Sequence, residues 1–260
     1  MEKVTFKNSR NLSLVGNLYT SKAKYKSKSE AKSKSVIILC HALANDKSER
    51  GKLDRVAEKL NSSGYNVLAF DFSGCGESDD DTLTIEKEVD DLRSAIVFVK
   101  SLGFEKIGLF GHSVGALVSL KAYDSEIKTM VLWSAITNKI RYKWEDKLSK
   151  EQLKEIEEKR YFTRTRKNAI RTVYHIDKQM LIERESVNQK QLLKNISCPV
   201  LIIQGTKDTS VPIEDSKNAI KLLSKESKLA IVENADHDFT EHVDELVKLT
   251  NDWFVKHLER

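Results

Sequence analysis

The sequence predicts an α/β protein: a mostly parallel, doubly wound sheet with antiparallel strands at the N-terminal end and one long insertion. Three observations carry this. Short apolar runs rich in β-branched residues recur at 36–40, 66–72, 107–110, 130–133, 198–205 and 229–232, and such runs mark strands buried on both faces. Between them lie stripes at helical spacing, such as Leu53, Val56, Ala57 and Leu60, or Ile85, Val89, Leu92, Ile96 and Val99. That alternation calls for parallel strands joined by right-handed crossovers. Finally, residues 137–196 break the rhythm and are too long for a simple crossover.

The elements follow in order. Residues 4–19 read as two short strands, with Phe6, Leu12, Leu14 and Leu18 as apolar members and 8–11 as the turn. Residues 21–35 carry six lysines and five serines without an apolar period, so an exposed loop is expected. After the 36–40 strand come a loop at 41–47 and a helix that Gly64 stops. The 66–72 strand ends in Asp71-Phe72-Ser73-Gly74-Cys75-Gly76-Glu77-Ser78, a glycine-bearing turn. The acidic cluster at 79–81 has no matching ligand set nearby and is not read as a metal site.

Thr84 is placed to cap the next helix, with Glu86 and Glu88 in its first turn, and Gly103 ends it. The 107–110 strand leads into Gly111-His112-Ser113-Val114-Gly115 and then an apolar helix at 116–122. Within the insertion, Ser149 and Gln152 form a capping box for a helix near 149–160. There 161–163 and 170–176 look strand-like, and 177–194 looks helical. Excursions of this length are functional or structured, so 137–196 is expected to be a cap, with 1–136 and 197–260 as the core. The 198–205 strand then leads to Thr206-Lys207-Asp208, a helix at 215–223, the 229–232 strand and the loop Asp236-His237-Asp238-Phe239. Val243, Leu246, Val247, Thr250, Phe254 and Leu258 stripe a closing helix.

Bulk numbers narrow the function classes. A chain of 260 residues, 40% hydrophobic and 32% charged, suits one large soluble domain with an insertion. The net charge of +5 comes from scattered lysines, with no arginine–aromatic groove and no nucleic-acid motif. Three widely spaced cysteines without C-x-x-C argue for free thiols and a reducing compartment. The N-terminus has no apolar signal core, and no run approaches the ~20 apolar residues of a membrane span. The expectation is a cytoplasmic protein, monomeric or homodimeric, with no nucleic-acid partner.

The chemistry centres on Gly111-x-Ser113-x-Gly115, which matches G-x-S-x-G at a strand-to-helix turn. In doubly wound sheets the site lies at the carboxyl ends of the strands. Ser113, Asp208 and His237 fall on three loops at that edge, and a serine hydroxyl becomes a nucleophile once a base takes its proton. His41, Asp71 and Trp133 sit at the same edge. Asp236 and Asp238 flank His237 as alternative acids, and His112 fills a variable position of the motif.

The chain order nucleophile, acid, histidine is that of the α/β-hydrolases. From about residue 4 to 258 the sequence resembles their esterase, monoglyceride-lipase and serine-aminopeptidase-like group. It is most similar to small feruloyl/cinnamoyl esterases with an inserted cap. The elbow, Asp71-x-x-Gly74-x-Gly76-x-Ser78, Gly205-x-x-Asp208 and His237 carry the resemblance. It implies a serine hydrolase that cleaves small-molecule carboxylic esters through an acyl-enzyme, without metal or organic cofactor. Ser113 would be nucleophile, His237 base, and Asp208 the group that orients the imidazole. The oxyanion hole would use the amides of Val114 and Leu43, the latter where the family often reads His-Gly-x and this chain reads His41-Ala42-Leu43. His41 would support that loop, and Asp71 would be loop architecture. Trp133, Tyr142, Trp144 and Tyr161, with Phe162, would shape the substrate pocket. Thioester, amide or peptide cleavage at the same triad, and non-catalytic small-molecule binding, remain open readings.

Overall fold

The strand runs do condense into one sheet. A computed structural model describes residues 1–21, 34–167 and 169–259, so most of the expected lysine–serine loop lies outside the described residues. Strands β1 (Glu2–Lys7) and β2 (Ser13–Tyr19) form an antiparallel hairpin. β3 (Ser35–Cys40), β4 (Asn66–Phe70), β5 (Lys106–His112), β6 (Ile127–Trp133), β9 (Val200–Gly205) and β10 (Lys228–Val232) are mutually parallel. The eight-stranded order is β1-β2-β4-β3-β5-β6-β9-β10, with β2 antiparallel to β4.

Alternate residues of the central strands feed two separate cores. Val36, Ile38 and Cys40 of β3, with Leu109, Met130 and Leu132, pack on one face against α2 (Ile85–Ser101) and α3 (Val114–Ala122). Ile37 and Leu39, with Phe110, Val131 and Trp133, pack on the other against α1 (Lys52–Ser62) and α8 (Val243–His257). This double burial is why the strands read as continuous apolar runs. The Thr84 hydroxyl accepts from the Lys87 amide as the N-cap of α2. β4 stops two residues short of the expected 72; the Asp71 amide still donates to the Val15 carbonyl of β2 at 2.9 Å, and its carboxylate takes Lys47.

Between β6 and β9, where an insertion is expected, lie α4 (Lys150–Lys159), β7 (Tyr161–Thr165), β8 (Val173–Asp177), α5 (Lys178–Glu185) and α6 (Gln189–Leu193). Ser149 and Gln152 close the capping box of α4. The single helix expected over 177–194 is instead two, broken at Ser186-Val187-Asn188. There the Ser186 hydroxyl donates to the Glu183 carbonyl, and the Asn188 side chain accepts from the Gln191 amide to start α6. The hairpin of β7 and β8 is tied to the core at Leu83, which exchanges backbone hydrogen bonds with His175 and Asp177. The helix expected at 215–223 starts earlier, after Pro212, as α7 (Ile213–Ala219) and ends in a 3₁₀ turn at Ile220–Leu222. Among the described residues, no helix is long and apolar enough to cross a membrane.

Candidate active site

Ser113 stands between β5 and α3 with φ 55° and ψ −108°, a strained backbone that side-chain-bearing residues rarely adopt. The flanking glycines are required by space. A Cβ on Gly111 would lie 2.5 Å from the Gly115 carbonyl oxygen, and one on Gly115 would lie 2.3 Å from the Cys40 carbonyl oxygen. The chain can therefore turn tightly against the end of β3, and the hydroxyl stands at the positive end of the α3 dipole.

Two further loops converge on it. His237, after β10, lies with Nε2 3.1 Å from Ser113 Oγ and Nδ1 2.8 Å from Asp208 Oδ2. With the proton on Nδ1, Nε2 offers its lone pair to the serine hydroxyl. Asp208, after β9, has a fully buried carboxylate whose Oδ1 accepts the Ser210 and Val211 amides at 2.8 and 2.9 Å. Gln204 donates to Oδ2 at 2.8 Å. Burial pushes the Asp208 carboxyl up, but His237 and these amides outweigh it and hold the group below the usual aspartate range. Of the flanking acids, Asp236 caps its own turn through the Thr240 amide and hydroxyl, and among the described residues it is Asp208, not Asp236 or Asp238, that meets His237 Nδ1.

Around this constellation is a set of supports that sequence reasoning missed. Ser134, at φ 46°, donates from its hydroxyl to the His237 carbonyl at 2.9 Å. Gln204, which holds Asp208, also accepts from the Ser216 hydroxyl at 3.0 Å. It is the lone polar side chain in the 200–204 run, and that was a readable signal. His112 has specific partners: its Nδ1 lies 2.8 Å from Glu49 Oε2, and its ring stacks on Trp133 at 3.8 Å. The other Glu49 oxygen accepts the Ala42 amide, so one buried carboxylate joins the elbow to the loop after β3. Burial raises the Glu49 pKa, but His112, the Ala42 amide and His41 together bring it below the usual glutamate range. Nothing in the sequence pattern marks Glu49.

The loop after β3 is built by buried polar contacts. His41 accepts the Phe72 amide at Nε2, 3.2 Å, and donates from Nδ1 to the Ala42 carbonyl at 2.8 Å. Asp71 takes the Lys47 amide at 2.7 Å and the Lys47 ammonium at 2.6 Å. Arg166, between β7 and β8, donates to the Leu43 carbonyl at 3.2 Å. Among the described residues, the amides of Leu43 and Val114 donate to no protein acceptor.

The expected pocket residues divide. Trp133 is corrected: it is fully buried in the core between His112 and Phe239, and presents no surface to a substrate. Its place at the end of β6 put it near the site, but alternation along the strand turned it to the core of α1 and α8. Phe162 is likewise buried in the other core. Tyr142 lines a cavity beside the Asp208 loop and meets Trp144 edge-on at 5.2 Å. Tyr161 packs on His175 within its hairpin. Among the described residues, neither Trp144 nor Tyr161 makes a ring contact or hydrogen bond with Ser113 or His237.

Known proteins agree with this architecture. A model of the family described as "Serine aminopeptidase, S33" matches residues 31–244. The human protein named serine hydrolase BPHL is 29% identical over 217 residues, 75% of this chain and 72% of its own. Among solved structures, Est1E of Butyrivibrio proteoclasticus with bound ferulic acid superposes with a TM-score of 0.77 at 20% identity, covering 98% of both chains. An esterase of Pyrococcus furiosus gives a TM-score of 0.72 at 21% identity, covering 99% of this chain and 91% of its own. The chain therefore belongs to the serine aminopeptidase S33 family and is a serine hydrolase with the α/β-hydrolase fold.

Proposed function

We propose that the protein hydrolyses carboxylic esters through an acyl-enzyme on Ser113. The observation that carries this reading is the continuous relay from Ser113 Oγ to His237 at 3.1 Å and from His237 to Asp208 at 2.8 Å, set on a strained elbow. As Oγ attacks the ester carbonyl carbon, His237 Nε2 takes the hydroxyl proton, and Asp208 stabilises the imidazolium. The carbonyl oxygen becomes an anion that the free amides of Val114 and Leu43 receive. Collapse breaks the bond to the alcohol oxygen, which leaves with the proton from His237. Water, deprotonated by His237, then attacks the acyl carbon and restores Ser113. Residues 137–196 act as a cap over this site, with Tyr142 and Trp144 as its pocket-forming aromatics.

Amide or peptide cleavage is the second reading, favoured by the family description. An aminopeptidase must also neutralise the substrate's ammonium group. The cavity beside Asp208 supports the ester reading instead, since Lys139, Arg141, Lys147 and Arg184 line it against one carboxylate, Asp215. The test is a panel of p-nitrophenyl esters with matched p-nitroanilides, run on wild type and Ser113→Ala. Ester turnover that vanishes in the variant is expected. Turnover of the anilides but not the esters would replace the reading with amide hydrolysis. Loss of all turnover, with no covalent labelling of Ser113 by a fluorophosphonate, would replace it with a binding protein.

A further inference from the structure

A cavity of about 440 Å³ lies among the loops leaving β6 and β9 and the insertion. Ile136 and Thr137 contribute from the first loop, Ser210 and Val211 from the second, and Arg184 of α5 from the insertion. Its charge is one-sided, and its single carboxylate is engaged: Asp215 accepts from Arg141 and, at 3.2 Å, from Asn138. Arg184 has no such partner. The residue is only 9% exposed, none of its nitrogens hydrogen-bonds to a described residue, and Nη1 is sealed from solvent. Lys47 shows the usual arrangement of a buried cation in this protein, with Asp71 and Glu77 both within 2.8 Å of its ammonium. A buried guanidinium with no hydrogen-bond acceptor is costly for a fold to hold, and the nearby Asp215 oxygen is already taken by Arg141 and Asn138. Burial pushes the Arg184 guanidinium down to about 10, with Tyr142 and Asp215 opposing, so it stays cationic at neutral pH.

We propose that this cavity is an anion subsite in which Arg184 receives a carboxylate or phosphate group. The group is carried by the substrate or by a separate small anion. A planar guanidinium suits either, because its N–H groups pair with two oxygens at once. The substrate-borne source rests on the esterase reading and has a positional argument. Ser210 and Val211 line the cavity while their amides hold the Asp208 carboxylate, so an anion here adjoins the loop that orients the base.

Calorimetric titration with glutarate and with inorganic phosphate tests the subsite without needing turnover. Saturable binding is expected in wild type, weakened about tenfold to a hundredfold in Arg184→Met, which keeps an unbranched side chain and removes the charge-assisted bonds. No saturable binding of either anion to wild type overturns the proposal, whether or not the variant folds. Binding that Arg184→Met leaves unchanged overturns it too. The source is read from kcat/KM for p-nitrophenyl hemiglutarate relative to p-nitrophenyl butyrate. A ratio that falls about tenfold or more in the variant puts the anion on the substrate; anion binding lost with an unchanged ratio supports a separate ligand. If neither ester turns over, the esterase reading fails and the titration still decides the subsite.

Discussion

Replacing Glu49 with alanine should cost both stability and rate, and the structure sets the scale. One Glu49 oxygen holds the Ala42 amide and the other faces His112 Nδ1 at 2.8 Å, in a nearly solvent-free position. Glu49 has φ 46°, but alanine also carries a Cβ, so the backbone penalty is unchanged and the lost carboxylate is isolated. Two hydrogen bonds to a charged acceptor, at about 1.5–3 kcal/mol each, predict a loss of about 3–6 kcal/mol. For a chain of this size that lowers Tm by about 6–24 °C. The loosened Ala42 amide adjoins Leu43, so kcat on an ester should fall about tenfold to a hundredfold, less than outright loss of an oxyanion donor. The pKa of Glu49 is depressed in the fold, so its contribution is present above the unfolded glutamate pKa of about 4.3 and lost as pH falls through the folded value. The gap between wild type and variant should be flat from pH 6 to 8 and close in more acid solution. Urea melts across pH with parallel ester assays read all of this. A variant that melts within about 1 kcal/mol of wild type and keeps its kcat would refute the idea that this carboxylate joins elbow and loop.

Three other outcomes follow from the same geometry. Ser113→Ala should lose about 10⁴-fold or more in kcat, whereas Ser113→Gly, equally inactive, should melt higher because glycine relieves the positive φ. Asp208→Asn should lower kcat by about 10⁴-fold with the fold intact by circular dichroism, since the asparagine amide favours the wrong imidazole tautomer. Glu88, buried on α2 with both carboxyl oxygens unpartnered among the described residues, has its pKa raised well above the ordinary glutamate value by burial and then by Asp91 and Glu183. A raised pKa gives stability below the unfolded value that is lost as pH rises, so Glu88→Gln should raise Tm by a few degrees at pH 8 and by less at pH 5.

The sheet was legible because β3, β5, β6 and β9 are buried on both faces, which leaves little room for polar residues. Ser113 was legible because Gly111 and Gly115 answer to steric demands within a few residues of it. Trp133 shows where such reading stops: reaching the correct sheet edge does not say which face a side chain takes. Glu49 and Arg184 lay beyond it for another reason. Their roles depend on partners, or the lack of partners, distant in sequence, and nothing local distinguishes them from surface charges. The break at Ser186-Val187-Asn188 fell between these cases, since its cap residues were present but the apolar spacing ran across them.

The base hangs from the margin of the sheet. Among the described residues β10 pairs with β9 alone, and most of its residues are incompletely covered, while β3 and β5 each pair on both sides within the sheet. Fraying of a border strand is the cheapest opening such a sheet permits. A chain losing its grip on β10 would carry His237 away from Ser113 while the central ladder stayed intact. Heat or urea should thus silence the enzyme before the far-ultraviolet dichroism of its interior changes, and rejoining one short strand would restore it.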